Sequence, residues 1–551
     1  MEQRARDIVK IGNKLFDQKH EMDSLWQEIA LNFYPERADF TTKRNAGEEF
    51  SDHLFSSYPV LARRELGNML AASLRPRSQR WLEIHVDDDD VDKGDAERAF
   101  LEHLSLIQWR AMYDTTAGFV RATKQGDHDF VTFGNAVIKF GKNLTGDGLL
   151  FRNYHLRDCA WSENAEGKVD CLHRNWEPSA RQLKQHFKDN ISHDVIEACK
   201  KDPEKTFKCR HVVVPSRMYD YTSKSGKKFP FVSLYVECES EKILEEVGIN
   251  YFDYVVPRWH TIAGSQYGVS MATSVVLPDG RTNQVVIRTI REAGEKYADP
   301  PMLAVSDAIR GDIALYAGGV TTADIEYDER LGEVLRPISQ QHTGFPIAIE
   351  VAAALKEDIR HGFFLDKIQL PDTSGDKTAF EIRRRIEEQI RSQSPIFEPI
   401  EQEYNDPLCD GVFQVLSDAG AFPLHDMPES LAGMNTRFTF RSPLADMADA
   451  QEAETYVDVL TRILLPAAQI DPAQVENVDL TESTRSAMRA AGWKAKWFKP
   501  KDAVAAKAEE LAKAQAMAQG MEALGAAGQV AEQGGKGMAA VDQAMNGQVP
   551  A

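Results

Sequence analysis

Recognisable catalytic and phosphate-binding motifs are missing from this chain of 551 residues. It contains neither the G-x-x-x-x-G-K-[ST] pattern, whose backbone N–H groups cradle phosphates, nor the H-E-x-x-H pattern, which places two metal ligands and a base on one helix face. The segment Ser225-Gly226-Lys227-Lys228 resembles the end of the first pattern but lacks its earlier glycine. These absences argue against a P-loop nucleotidase and against a zinc peptidase.

Cysteine is scarce, and long apolar runs are absent. The six cysteines are scattered, which predicts free thiols in a reducing compartment; they are Cys159, Cys171, Cys199, Cys209, Cys238 and Cys409. No apolar run approaches the roughly 18 residues of a membrane-spanning helix. We therefore expect no membrane insertion.

Basic residues are outnumbered by acidic ones. The sequence has 65 Lys and Arg against 85 Asp and Glu, a formal net charge of −20. A protein that holds nucleic acid tightly by neutralising phosphates would carry the opposite sign. The apolar fraction of 42% is sufficient for several buried cores.

Two groups of cysteine and histidine are candidates for reactive sites. Cys159, Cys171 and His173 have a C-x11-C-x-H spacing that fits no compact zinc knuckle, and alternating strand residues explain them better. Cys209 and His211 share a strand face, as a nucleophile and its base would, but no oxyanion hole or orienting carboxylate is recognisable beside them. The acidic run 87–90 reads as a solvated loop rather than a metal site. The sequence thus predicts no catalytic residue, no metal and no cofactor, and a Cys/His hydrolase is the least favoured alternative.

The order of predicted elements indicates an α+β protein that is mostly helical. Apolar residues recur at helical spacing up to Pro35, over 54–74 and over 96–133, with a short strand at 81–86 between the last two. A β-rich stretch follows, interrupted by one helix that begins with a capping box at Ser179 and Gln182. Its predicted strands, which form a mostly antiparallel sheet, are 136–140, 149–156, 168–176, 211–214, 231–238 and 251–256.

The second half is organised around two helices that flank a small excursion. Residues 281–298 form a predicted helix whose apolar stripe is Val285, Val286, Ile290 and Ala293, and Pro278 just upstream is expected to kink or restart it. Strand-like segments fill 300–344, including 302–305 and 335–338, and a second helix covers 346–361. An exposed loop spans 363–377. A long helix starts at Thr378 and is expected to bend at its three prolines, and another helix is predicted over 447–465.

An ordered set of short motifs carries a resemblance to a known family. The matching positions are Trp81, Tyr254-Val-Val-Pro-Arg-Trp259, Tyr267-Gly268 with Ser270, Leu277-Pro-Asp279, Thr282-Asn283, Asp299-Pro-Pro301, Thr378-Ala with Glu381-Ile382, and Gly420-Ala-Phe-Pro423. Together they cover about residues 1–430, and they resemble the head-to-tail connecting proteins, or portal proteins, of short-tailed bacteriophages.

The resemblance implies a ring of twelve subunits around a DNA channel at one capsid vertex. Its parts would be a wing (1–269 and 378–430), stem helices (270–298 and 345–362), a clip (299–344), a tunnel loop (363–377) and a crown (431–500). The tail 501–551, rich in Ala, Gln and Gly, is either disordered or a helical barrel. The implied partners are double-stranded DNA in weak, non-specific contact, the terminase large subunit, a tail adaptor, and the major capsid and scaffolding proteins. The implied location is the virion, with assembly in the host cytoplasm.

The resemblance also suggests site residues. In the tunnel loop, the candidates near DNA are Lys367, Asp372, Asp376 and Lys377, although the two lysines also fit an ordinary surface loop. Candidate clip residues for subunit pairing or partner docking are Asp307, Arg310, Asp324, Glu326, Asp328, Glu329, Arg330 and Arg336. Pro278 and Gly280 form the expected stem hinge, since the family usually has an apolar residue at the latter position. The rival structural function is another ring component of the virion, a tail adaptor or an internal core protein.

Overall fold

The structure is a computed structural model, and it describes most of the first 300 residues and parts of the remainder. The described ranges are 2–45, 47–48, 51–77, 80–88, 94–188, 190–219, 228–298, 302–304, 335–337, 344–368, 400–440, 453–470, 478–493 and 497–499, with six further residues between 504 and 514. The chain divides into two compact units of several segments each. The first comprises 1–82, 106–422 and 440–444, and the second comprises 83–105, 423–439 and 445–551.

The first helical stretch is broken at a buried lysine. Helix α1 (Glu2–Gln18) and helix α2 (His20–Phe33) flank Lys19, which is fully buried. Its Nζ donates to the carbonyl oxygens of Leu156 at 2.6 Å, Arg157 at 3.0 Å and Cys159 at 2.9 Å. Burial lowers the pKa of this ammonium, and the nearby Asp23 carboxylate opposes that shift. Lys19 thereby ties the helix junction to residues 156–159, about 140 residues further along the chain.

The predicted single helix over 96–133 is wrong, because the structure has two helices there. Helix α3 (Tyr58–Leu74) precedes strand β1 (Leu82–Val86), and helices α4 (Asp95–Met112) and α5 (Phe119–Phe133) follow. Gly118, with φ of 69°, lies at the start of α5. This left-handed conformation suits glycine and interrupts helical continuity.

Two antiparallel sheets follow, as the β-rich pattern predicts. Strands β2 (Ile138–Lys142) and β3 (Leu149–Asn153) pair with each other, and β2 also pairs with the later strand β9 (Tyr254–Val255). The larger sheet has the order β4-β5-β6-β7-β8. Its strands are β4 (Cys159–Glu163), β5 (Val169–Trp176), β6 (Cys209–Pro215), β7 (Phe231–Glu237) and β8 (Lys242–Ile249). The sequence prediction omitted β4 and β8.

The five-stranded sheet is covered by helices on both faces. One face packs on α1 through a cluster that includes Ala5, Ile8, Val212 and Leu234. The other face packs on helices α6 (Ala180–Phe187) and α7 (His193–Lys201), where one helix was expected. The backbone N–H of Ser179 donates to Gln182 Oε1 at 3.1 Å, which confirms the predicted start of α6.

The second half begins with the predicted helical pair. Helix α8 (Thr273–Ala298) and helix α9 (Gly344–Gly362) pack on each other. Between them, β10 (Met302–Ala304) pairs antiparallel with β11 (Leu335–Pro337), in agreement with two of the predicted strands. The segments predicted as strands between 313 and 327 lie outside the described residues.

The remaining described elements are mostly helical. Helix α10 (Leu365–Ile368) follows α9 closely, and a π-helical turn (Glu401–Asn405) leads into α11 (Asp406–Asp418). In the second unit, β1 pairs with β12 (Thr436–Phe440). Residues 453–470 are helical and end in α12 (Leu465–Ile470), which agrees with the described part of the predicted 447–465 helix. Helix α13 (Leu480–Ala490) begins at Asp479, whose carboxylate accepts from the N–H groups of Thr481 and Glu482.

Candidate channel and assembly segments

Helix α8 runs without interruption through the expected hinge. The predicted restart at Pro278 is wrong, because the helix begins at Thr273 and contains both Pro278 and Gly280. Gly280 is buried, and a Cβ at this position would lie 2.8 Å from Phe33 Cζ. Close packing against α2 is therefore a sufficient physical reason for the glycine. Whether the position also bends during function stays a prediction.

The predicted apolar stripe of this helix is partly wrong. Its buried residues lie nearer the N-terminus: Thr273, Val276, Leu277, Gly280, Asn283 and Gln284. Val285, expected on the stripe, is 64% exposed. Gln284 fixes the helix to the loop before α3, because its Oε1 accepts from the N–H groups of Phe55 and Ser56, both at 2.8 Å. The helix is thus anchored by its first half.

Helices α8 and α9 are in close contact at a glycine. A Cβ on Gly362 would lie 2.0 Å from Val276 Cγ1, so a side chain there requires the Val276 side chain or a helix to move. Nearby, the Asp358 carboxylate contributes to the raised pKa of Asp279, although burial is the larger cause. Both observations place the start of α8 near the end of α9. The pair is therefore an antiparallel hairpin.

The other half of the hairpin exposes apolar side chains. Val285 on α8 is 64% exposed, and on α9 Ile347 is 62%, Ile349 50% and Val351 42% exposed. We call these four residues the stem apolar set. Ile347 and Ile349 lie about 200° apart around α9, so the exposed aliphatic side chains of this set are on more than one side of the hairpin.

The first residues of the predicted tunnel loop are not an exposed loop. Phe363 is fully buried, and its ring lies 5.5 Å from that of Phe33. Phe364 has φ of 55° and its ring lies 6.4 Å from that of Trp259. Leu365 is also buried and begins helix α10. The loop prediction is wrong for 363–368, since Phe363 and Leu365 are buried and Leu365–Ile368 is helical; we call Phe363–Leu365 the packed base of the loop.

One of the four tunnel-loop candidates and one of the eight clip candidates lie among the described residues. Lys367 lies in the short helix α10, whereas Asp372, Asp376 and Lys377 lie outside the described residues. Of the clip candidates, Arg336 lies in β11 opposite Leu303. The other seven, Asp307, Arg310, Asp324, Glu326, Asp328, Glu329 and Arg330, also lie outside the described residues.

A histidine–carboxylate cluster at the end of α9 was not anticipated. His361 Nδ1 lies 2.5 Å from Asp366 Oδ2, and its Nε2 lies 4.0 Å from Glu357 Oε1. Arg360 Nε contacts the other Asp366 oxygen at 2.7 Å. The arginine already neutralises this carboxylate, so the cluster joins α9 to α10 without needing a metal. The Glu-x-x-x-His spacing on a helix is the signal that sequence reasoning missed.

Two arginines hold the π-helical turn that precedes α11. Arg258 donates from Nε and Nη2 to the two Glu403 carboxylate oxygens at 3.1 and 2.9 Å. The same guanidinium also pairs with Glu163. A two-pronged contact of this kind fixes orientation as well as distance.

The second arginine is fully enclosed. Arg75 donates from Nη1 to Asn405 Oδ1 at 2.7 Å, pairs with Asp127, and lies 4.5 Å from the ring centroid of Tyr404. Burial raises the pKa of the Asp127 carboxyl, and the guanidinium opposes that shift. Pro407, where a bend was expected, occupies the first turn of α11, a position that tolerates proline.

The cysteines and histidines considered as reactive pairs are buried. Burial raises the pKa of the Cys209 thiol far above its usual range and lowers that of His211 well below 6.5. His211 already contacts Tyr254 Oη at 2.5 Å and Ser233 Oγ at 2.9 Å. Burial likewise raises the pKa of Cys171 to about 11 and of Cys159 to about 12, and lowers that of His173 to about 3. A protonated, enclosed thiol is a poor nucleophile.

None of the helices among the described residues is both long and apolar enough to cross a membrane.

Comparison with known proteins identifies the family. Residues 5–498 match the bacteriophage head to tail connecting proteins. The chain is 23% identical over 483 residues to the probable portal protein of Bordetella phage BPP-1, covering 83% of this chain and 82% of that protein. It is 21% identical over 540 residues to the portal protein of Salmonella phage epsilon15, covering 96% and 94% respectively. The chain therefore belongs to the family of bacteriophage head to tail connecting proteins.

Proposed function

We propose that the chain is the subunit of a portal ring at one capsid vertex, through which viral DNA is packaged and later ejected. The α8–α9 hairpin is the observation that carries this proposal. Its buried end packs on α2 and on the loop before α3, in the part of the sequence that the resemblance assigns to the wing, and the remainder carries the stem apolar set. In a closed ring, each hairpin would cover the apolar side chains of its neighbour.

The acidic composition fits a passage for DNA rather than a binding site. A ring multiplies the −20 of each chain by the number of subunits. An acidic wall repels phosphates, so the duplex slides instead of adhering. Lys367 and Lys377, with Asp372 and Asp376 between them, would meet the duplex at the tunnel loop as weak, screened contacts. The packed base at Phe363 would hold that loop in position.

The clip would dock the terminase large subunit during packaging and the tail adaptor afterwards. The eight clip candidates, Arg336 among them, stay predictions for subunit pairing or partner docking. The major capsid and scaffolding proteins would contact the wing and crown during assembly. Twelve subunits are the expected ring number.

Electron microscopy of the purified full-length protein tests the ring. We expect ring particles with a central hole as wide as duplex DNA and twelvefold averages. A matched pair of variants tests the hairpin: Ile347→Lys with Ile349→Lys should leave folded monomers, because two ammonium groups would be desolvated in the interface. Leu144→Lys, which changes a side chain 74% exposed on the β2–β3 turn, should still form rings. Non-ring particles from the unmodified protein would overturn the proposal, and rings from the double variant would exclude the stem apolar set as the contact.

The tunnel-loop lysines require a packaging assay. Lys367→Gln with Lys377→Gln should still form rings, but these should retain less DNA when packaging stalls. Lys356→Gln, an exposed lysine on α9, is the control and should behave as the unmodified protein. Unchanged retention in the double variant would remove both lysines from the channel.

A further inference from the structure

A cluster of hydrogen-bond donors lies on the large sheet, on the face that also meets β2 and β9. Arg174, His211 and Tyr235 are directly opposite one another on β5, β6 and β7. Lys139 from β2 reaches the same row, with its Nζ 3.1 Å from Tyr235 Oη. We call Lys139, Tyr154, Arg174, Trp176 and Tyr235 the Arg174 niche. Nothing in the ring proposal requires these residues.

Among its buried charged groups the niche holds one more positive charge than negative charge, and the exposed Arg152 lies 5.7 Å from the ring centroid of Tyr154. Lys139 pairs with Asp253 at 3.2 Å. Arg174 is 5% exposed, and within the described part of the protein no carboxylate pairs with it. His211 adds no charge, because burial and the two nearby cations hold its pKa well below 6.5. A buried cation without an anion is costly, so the niche favours an incoming anion.

The polar groups free to meet a ligand are donors. The guanidinium of Arg174 donates from Nε to Tyr254 Oη at 3.2 Å. Its centre lies 4.2 Å from the ring centroid of Tyr154 and 5.6 Å from that of Trp176. Both rings are partly exposed, and their O–H and N–H groups have no hydrogen-bond partner among the described residues. The guanidinium, the phenol O–H and the indole N–H can each donate to an oxyanion, and the flat aromatic rings can pack against the apolar group that carries it.

The balance of charge selects the class of oxyanion. The one unpaired buried charge, that of Arg174, matches one carboxylate, whereas the exposed Arg152 is solvated, and a planar carboxylate fits the fork of a guanidinium. A nucleic acid duplex would bring many phosphates toward a protein of net charge −20. Glu245, the acidic residue opposite Tyr235 on β8, lies three strands from Arg174, or about 14 Å at the usual strand spacing. At that distance the Glu245 carboxylate neither pairs with Arg174 nor strongly repels an anion that binds beside it.

We propose that the Arg174 niche binds a single carboxylate of a protein segment, supplied either by an aspartate or glutamate residue or by a polypeptide C-terminus. Arg174 supplies the positive charge and the paired N–H donors that meet both carboxylate oxygens. Tyr154 and Trp176 supply further donors and an apolar wall. Lys139 and Tyr235 form the side of the niche next to β2. The site lies in the part of the sequence that the resemblance assigns to the wing, so a docked segment would attach there and not at the clip.

Titration of the full-length protein with small probes tests this directly, with tryptophan emission as the local signal. The probes are N-acetylglycine for a C-terminal carboxylate, N-acetylglutamate α-amide for the carboxylate of an acidic residue, and N-acetylglycinamide as the neutral control. Inorganic phosphate and a short DNA duplex complete the set, all at one ionic strength. We expect a saturable change with at least one carboxylate and none with the neutral amide. The change should disappear in Trp176→Phe if it arises in the niche.

Variants distinguish a built site from general charge. Arg174→Gln should weaken carboxylate binding at least tenfold, whereas Arg181→Gln, which changes an arginine exposed on α6, should leave it unchanged. Tyr154→Phe removes one donor and keeps the charge, so a loss of a few-fold is expected even if Arg174→Gln fails to fold. Equal responses to the carboxylates and the neutral amide, binding of phosphate or duplex alone, or full binding in Tyr154→Phe and Arg174→Gln would each overturn the proposal.

Discussion

Removing the carboxylate of Asp127 should destabilise the first unit strongly. The side chains of Arg75 and Asp127 are only 3% and 1% exposed, so Asp127→Asn leaves a guanidinium buried beside neutral groups. Arginine does not release its proton at accessible pH. Breaking a buried ion pair from one side costs about 3–5 kcal/mol, and we expect a loss of that size in the free energy of unfolding, measured by urea denaturation at pH 7.

A double-mutant cycle decides whether the pairing is the cause. The cycle consists of Arg75→Met, Asp127→Leu and the two combined. The double variant removes both charges and keeps apolar volume, so it should lose less stability than Asp127→Leu alone. The exposed pair Arg181–Glu204, with side chains 69% and 67% exposed, is the matched control. Replacing either of its members should change stability by less than about 1 kcal/mol. Additive losses at Arg75 and Asp127 would refute the reasoning.

Three further predictions concern the same unit. Burial and the nearby Arg63 lower the pKa of His128 from 6.5 to about 4. Between pH 7 and pH 5 the unfolded protein therefore binds a proton that the folded protein does not. The free energy of unfolding should fall by about 1–2 kcal/mol over that range, after allowance for the partial exposure of the imidazole. His128→Gln should show a smaller loss in urea midpoints at the two pH values, and an equal loss would contradict the assignment. Gly362→Ala should cost about 1–3 kcal/mol through overpacking, and Val276→Ala should restore part of it in the double variant, as followed by thermal unfolding. Phe363→Ala should cost about 3–5 kcal/mol and increase protease cleavage after residue 362, whereas unchanged cleavage would show that Phe363 does not anchor the loop.

The parts of the fold that sequence predicted correctly have local causes. A capping box at Ser179 starts α6, and Gly134, with φ of 73°, ends α5 where the helical pattern stops. Alternating apolar residues identified strands β2, β3, β5, β6, β7 and β9. Each of these signals lies within a few residues of the feature it sets, so no knowledge of the tertiary structure was needed.

The errors arise where distant contacts decide. Strand β8 is half exposed and carries Glu245 and Glu246, and charged edge strands look unlike apolar ones. Lys19 breaks the first helical stretch because it binds carbonyls about 140 residues away in sequence. Gly280 was predicted to be a flexible position in the helix, but it packs against Phe33, which lies on another helix. Contacts of this kind leave no mark in local spacing.

The candidate site likewise has parts that local sequence signals predicted and parts that depend on distant contacts. The order of helix, excursion and helix was readable, and the family followed from ordered motifs along the sequence. The packed base at Phe363 was not predicted, because residues 363–377 have the composition of a loop and only the tertiary contact of the Phe363 ring with Phe33 on α2 shows that Phe363 is enclosed. The two arginines at the π-helical turn were also missed, since Arg75 and Asn405 lie 330 residues apart in sequence.

The π-helical turn has a counterpart in the spacing of buried residues. Ile400, Tyr404, Leu408 and Val412 are all fully buried and follow one another at intervals of four. In a regular α-helix each such interval overshoots a full turn by about 40°, and three would rotate the buried face by about 120°. A wider π turn absorbs that rotation and keeps all four side chains on the core side. A helical wheel drawn through Ile400–Val412 at 3.6 residues per turn would therefore misplace the inward face of this segment.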